Sequence, residues 1–478
     1  MRVRSLTLLT AFALAFSGNA LGAGIKGTKR ADRIDVIGRG VNTVSCGKGI
    51  DVVTADQADH IARDCEFVSR RISVDTLAAA DGQHQTEVEP DVAANGSTAV
   101  AVFQVGRYVD GGAAGIGWST SADAGRTWRS GLLPGLTMFS TPPGTAPRAS
   151  DPAVAYDAVH GTWLVSSLIV SPAFTALYVS RSTDGRSWSL PVAAVQSGPG
   201  SLAYDKEWIG CDNGAASPFR GSCYLVYTDF PARRLTIQVS RDGGQTWSPG
   251  GNASADAGAD VEGALPLVQP NGALTIVFQA SQVGLYAVRS VDGGATFAPR
   301  IGIAPLTSHD VRGLRAPPLP TATVDASGRL YIAWQDCSFR SVCDGNDIVL
   351  SSSSDGVTWS MPQRVPGTAL ESVVPGIAAD PNVPGKLGLV TYVLTSSDQI
   401  GVAITRSRDG GATWTKPQRL DARTPRFNWL AATDSGLFAG DYVGATFSAG
   451  RFVPVFVLAE PPFANGRLNE FMMAASLI

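Results

Sequence analysis

Asp205 and Glu207 stand two residues apart in the run Tyr204-Asp205-Lys206-Glu207-Trp208. On an extended strand this spacing points both carboxyls to one face. Their mutual repulsion then raises one pKa and leaves that group a proton donor at neutral pH. Two carboxyls flanking one sugar ring are the equipment of glycoside hydrolysis. Other polar groups stand at the starts of similar apolar runs: Glu89 and Asp91, Asp151, and Asp441 followed by Tyr442. Arg148, Arg315 and Arg426 come from three distant stretches. Brought together, their guanidinium forks would hold a ligand carboxylate by bidentate hydrogen bonds.

The elements that must position these groups are short strands punctuated by a repeat. Ser407-Arg-Asp409-Gly-Gly411-Ala-Thr413-Trp414 recurs around Asp123, Asp242 and Asp292, and one residue shorter around Asp184 and Asp355. The aspartates are 61, 58, 50, 63 and 54 residues apart, a period that signals stacked or radial units. Asp followed by Gly permits a tight turn in which the carboxylate accepts backbone N–H bonds, and the aromatic residue then starts the outgoing strand. These six segments resemble the Asp-box, or BNR repeat, of the sialidase-like β-propellers, and the resemblance spans about four fifths of the chain. It implies an all-β propeller of four-stranded blades, with each box joining the third strand of a blade to the fourth. An aspartate that recurs in every unit is fold chemistry, so the six box aspartates are structural.

The last unit, 438–478, has three strands and no box, and a strand at Arg71–Asp75 is placed to supply its missing outer strand. That favours seven blades over six. In such blades the boxes share one face with the loops joining the first and second strands. The resemblance puts a ligand site on the other face, around the starts of the innermost strands. There it gives Glu207, Asp205, Asp151 and Asp441 candidate catalytic roles, with Tyr442 and Glu207 similar to the family's Tyr/Glu nucleophile pair. Arg148, Arg315 and Arg426, with Glu89 and Asp91, become candidate substrate-binding groups. The Phe/Tyr-Arg-Ile-Pro motif of sialidases is absent, and Glu89-Pro90-Asp91 stands near its expected place.

Residues 1–23 combine Arg2 and Arg4 with an apolar run from Leu6 to Phe16 and a small-residue end at Ala23, the pattern of a cleaved export signal. The formal charge of −3 becomes −5 without the two arginines, which leaves no basic face for nucleic acid. No second long apolar run follows, so the expectation is a secreted monomer. Six cysteines fall in close pairs, Cys46 with Cys65, Cys211 with Cys223 and Cys337 with Cys343, as in an oxidised exported chain. A zinc site is the rival reading, and four histidines with no CxxC spacing speak against it.

Residues 24–66 differ from the rest. Gly38-Arg-Gly40-Val-Asn42 and Gly47-Lys-Gly49-Ile-Asp51 superimpose at a nine-residue shift. This resembles a short haemolysin-type calcium β-roll, which implies Ca2+ near Asn42 and Asp51, the alternative being a metal-free roll closed by Cys46–Cys65. No other cofactor is implied. The domain reading is therefore a leader at 1–23, a small bridged segment at 24–66, a closing strand and linker at 67–86, and a propeller at 87–478. Its expected partner is an extracellular glycan or glycoconjugate. Hydrolysis of that glycan, glycan binding without catalysis, and a protein-interaction role all remain open.

Overall fold

The computed structural model describes residues 23–77, 81–199, 202–253, 260–367 and 370–477, so the leader reading lies, but for Ala23, outside the described residues. The described residues are all-β apart from a 3-10 turn at Phe427–Trp429. Six antiparallel four-stranded units follow one another. They run from Gln83–Asn95 to Arg129–Leu132, Arg148–Asp157 to Val192–Gln196, Tyr204–Cys211 to Ser248–Asn252, Val261–Val268 to Ile301–Pro305, Thr321–Val324 to Gln363–Arg364, and Glu371–Ala379 to Gln418–Arg419. The first strand of each unit lies against the first strand of the next. A further set, Gly444–Ser448, Arg451–Ala459 and Glu470–Ala475, pairs at its outer side with Phe67–Arg71. Its first strand touches both Glu371–Ala379 and Gln83–Asn95.

The strand joining the two ends of the chain is thus Phe67–Arg71, with Arg71 opposite Met473, four residues before the position expected from sequence. Residues 72–75 make other bonds. Ile72 N–H still reaches Met472 O, but Ser73 Oγ takes over as acceptor for Met472 N–H, and Asp75 Oδ1 accepts Leu77 N–H to turn the chain.

Each box forms the turn its residues dictate. In the fourth unit Ser290 Oγ donates to Asp292 Oδ1 at 2.7 Å, which also accepts the N–H groups of Ala295 and Thr296, while Thr296 Oγ1 donates to Oδ2. The Thr296 hydroxyl and amide hold the Asp292 carboxyl down at about 2. The following aromatic wedges between blades: Trp247 packs with Leu164, Val179 and Leu225, from the preceding unit and its own. Trp359 and Trp414 repeat this arrangement two and three units further round. Gly244, at φ +76°, fits because an added Cβ would come within 2.6 Å of Leu164 Cδ2 of the preceding unit.

All three close cysteine pairs are bonded, Cys46–Cys65, Cys211–Cys223 and Cys337–Cys343. In the N-terminal segment two parallel stacks face each other. One is Gly24–Lys26, Thr43–Ser45 and His60–Ile61; the other is Arg33–Asp35, Val52–Ala55 and Phe67–Arg71. Val36, Val44, Val53 and the Cys46–Cys65 bridge fill the space between them. Among the described residues no helix is long and apolar enough to cross a membrane.

Candidate functional site

The innermost strands carry one recurring irregularity. In the first, second, third, fourth and sixth units the pairing skips two residues: Glu89-Pro90, Asp151-Pro152, Lys206-Glu207, Gly263-Ala264 and Val374-Pro375. The first residue of each pair is left-handed, at φ +55°, +45°, +49°, +66° and +49°. A bulge of this kind re-aims a side chain, and four non-glycine residues held in this region mark a place where structure overrides local preference. Here it turns Glu89, Asp151 and Lys206 toward one another.

Lys206 Nζ lies 3.4 Å from Glu89 Oε1, 4.0 Å from Asp151 Oδ1 and 3.2 Å from Asp441 Oδ2. Arg315 grips Asp441 with both arms, Nε to Oδ1 at 3.0 Å and Nη2 to Oδ2 at 2.5 Å. Gln104 Nε2 donates to Glu89 Oε2 and to Ser150 Oγ, and Arg107 Nη1 donates to Gln104 Oε1. Burial works against the Lys206 charge, but Asp441, Glu89 and Asp151 outweigh it and hold its pKa well above the ordinary lysine value. Burial likewise opposes the Asp441 charge, yet Lys206 and Arg315 keep its carboxyl below the usual range.

The remaining acids are pushed the other way. Burial, then the Asp151 charge, raises Asp205 far above the usual carboxyl, and both acids accept the backbone N–H of Lys206, at 2.9 Å to Asp205 and 3.3 Å to Asp151. Glu207 has no exposed surface and among the described residues neither of its oxygens has a partner, so burial and Asp151 favour its protonated form. Burial also raises Glu89, Glu262, and Asp91, the last to about 6.

Beside this cluster is a cavity of about 200 Å³ lined by Asp91, Lys206, Trp208 and Tyr442 among smaller apolar residues and Thr321 and Thr323. The Trp208 and Tyr442 rings meet edge to face, 5.0 Å apart at 85°. The buried Tyr442 hydroxyl has no partner, and burial, followed by the Glu89 charge, raises its pKa well above the ordinary phenol. Asp91 Oδ2 accepts Val154 N–H at 2.8 Å and so ties the first unit to the second.

The structure therefore brings together Glu89, Asp151, Asp205, Glu207, Asp441, Tyr442 and Arg315. It does so through bulges, because the skip at Lys206-Glu207 breaks the simple alternation expected for Asp205 and Glu207. Arg148 and Arg426 are committed elsewhere. Arg148 pairs with Asp110 at 2.7 Å and lies over the Tyr108 ring, and Arg426 pairs with Asp398 at 3.6 Å. The sequence reading missed Lys206, Gln104, Arg107 and Glu262. A usable signal was the dipeptide Glu89-Pro90, Asp151-Pro152 and Val374-Pro375 at one place in three inner strands, since proline inside a strand marks a bulge.

At the N-terminal segment Asn42 donates from its backbone and carboxamide to Asp59 Oδ1, at 2.7 and 2.9 Å. Asp51 Oδ1 accepts Asp32 N–H, and Glu66 Oε2 accepts Asp51 N–H. Asn42 and Asp51 share no partner. Asp51 Oδ2 is buried without one, but among the described residues no three His, Cys, Asp or Glu side chains converge as a metal site. The Asn42 and Asp51 side chains cap neighbouring turns.

Residues 238–249 match the BNR/Asp-box repeat family model. No curated protein sequence matches the chain. Among solved structures, a Dyadobacter fermentans protein of unknown function is similar at 15% identity, covering 71% of this chain and 99% of its own, with a TM-score of 0.49. A leech intramolecular trans-sialidase is similar at 12% identity, covering 73% of this chain and 70% of its own, with a TM-score of 0.48. A Streptococcus pneumoniae sialidase is similar at 12% identity, covering 85% of this chain and 71% of its own, with a TM-score of 0.46. No residue role transfers from likenesses this distant.

Proposed function

We propose that this chain is a secreted, seven-bladed Asp-box propeller that binds extracellular carbohydrate in its axial cavity. The observation that carries the reading is the cavity itself, in which two orthogonal aromatic rings, Trp208 and Tyr442, stand beside a carboxylate, Asp91. Aromatic faces receive the C–H side of a sugar while a carboxylate accepts its hydroxyls, and about 200 Å³ is six to seven water volumes at ~30 Å³ each, room for one sugar residue. The test is retention on a glycan array, compared between the wild type and Trp208→Ala. Loss of retention in a variant with wild-type melting supports the reading; equal retention, or none by the wild type, refutes it.

A second reading, glycoside hydrolysis, is favoured by one observation: Asp205 and Asp151 converge on the same backbone N–H of Lys206 beside this cavity, and two carboxyls so close together keep a proton on one of them. Binding stands first because, of the carboxyls in the cluster, Asp91 alone lines the cavity. A panel of aryl sialosides and neutral and uronic aryl glycosides separates the two, with Asp205→Asn expected to abolish any release found. The N-terminal segment, its turns capped by its own carboxylates, is a metal-free β-roll.

A further inference from the structure

We infer that the axial cavity selects a ligand bearing a cationic group, an amino sugar if the carbohydrate reading holds, and rejects sugar acids. This rests on that reading for the sugar and on the following geometry for the charge. Glu89, Asp91, Asp151, Asp205, Glu207, Glu262 and Asp441 surround the cavity end, and the cations that answer them are Lys206, Arg315 and Arg107. Of these only Lys206 lines the cavity; neither arginine does. Lys206 is shared among three carboxylates, Arg315 is bidentate on Asp441, and Arg107 bonds Gln104 and lies 3.9 Å from Glu89. A ligand carboxylate would find no guanidinium to receive it.

Asp91 is in the opposite position. Its carboxylate accepts the backbone N–H of Val154, and among the described residues no ion pair engages it, although it lines the cavity. The aromatic wall already shows what it accepts, since Lys206 Nζ sits 4.8 Å from the centre of the Tyr442 ring. An ammonium on a ligand would meet the same quadrupole on this wall and the Asp91 charge beside it. That combination of aromatic faces and one unpaired carboxylate discriminates by charge rather than by shape.

The test measures binding of glucosamine, glucose, glucuronate and tetramethylammonium to the full chain by calorimetry, for the wild type and Asp91→Asn. The asparagine keeps an oxygen for Val154 N–H. Glucosamine is expected to bind at least about tenfold tighter than glucose, and glucuronate not at all; Asp91→Asn should erase the glucosamine advantage. Glucuronate binding as tightly as glucosamine, or glucosamine and glucose binding alike, overturns the inference and leaves carbohydrate binding standing. Tetramethylammonium binding without any sugar upholds charge selection and overturns the carbohydrate reading. Binding of none of the four overturns both. Should Asp91→Asn fail to fold, the wild-type ranking still decides.

Discussion

Replacing Lys206 by methionine keeps the length of the side chain and removes the charge on which three blades converge. Glu89, Asp151 and Asp441 are 1%, 5% and 2% exposed, so water cannot take over the work of the ammonium. Arg315 would still hold Asp441, but Glu89 would keep Gln104, the long bond from Asp441 N–H and the more distant Arg107, with no cation in direct contact. Removing one partner of a buried ion pair costs about 3–5 kcal/mol, and here the lost group serves three partners. The cost should depend on pH in a specific direction. Glu89 already has a raised folded pKa, so its folded state is favoured while it stays protonated and is penalised as pH rises through that value. Losing Lys206 raises it further. Urea unfolding at pH 7.5 should therefore show the full loss, and at pH 5 a markedly smaller one. A loss under about 1 kcal/mol, or one equal at the two pH values, would show that Lys206 does not hold the inner strands together.

The other expectations concern separate parts of the molecule. Trp247→Ala should destabilise by about 2–4 kcal/mol, since the indole is partly buried between two units, while leaving retention on glycans unchanged in the folded protein; full stability would contradict its role as a wedge. Glucosamine binding should strengthen as pH rises through about 6, because Asp91 ionises there while Lys206 and Tyr442, both raised, keep their protonation states; a flat profile between pH 5 and 7.5 would exclude Asp91 as the anionic partner. Chelation of divalent cations should leave the melting temperature within about 2 °C, and a clear rise on adding Ca2+ would place an ion at the unpartnered Asp51 Oδ2.

Much of the fold was legible because its information is local. An Asp, a Gly and a hydroxyl residue within eight positions are enough to close the box turn, and the six copies announce the units they terminate. The cysteine pairs were legible for the same reason, each closing a short loop. The site was legible only as a set of polar strand starts. Which of them meet is decided by bulges, and a bulge depends on how two strands register, which a single segment does not encode. Lys206 was overlooked because between two acids on a strand it should point away, and only its left-handed backbone brings it to the centre. Arg148 and Arg426 show the converse. Arg148 starts an inner strand and Arg426 precedes the 3-10 turn, and each is already paired there, with Asp110 and with Asp398.

The strand Phe67–Arg71 belongs at once to the N-terminal stack, where it follows Val52–Ala55 in parallel, and to the final antiparallel set, where it borders Glu470–Ala475. Its two neighbours stand far apart in the sequence, at 52–55 and 470–475. During synthesis the strand waits with one edge unfilled for about 400 residues, and bringing such distant segments together carries the loop-closure cost that slows folding. Any product that stops short of residue 470 keeps that edge bare and also bares the outer edge of Arg451–Ala459, which then pairs only with Gly444–Ser448, and two bare edges are a template for pairing with other chains. Loss of either neighbour, Val52–Ala55 or Glu470–Ala475, should thus be felt as aggregation of the whole molecule.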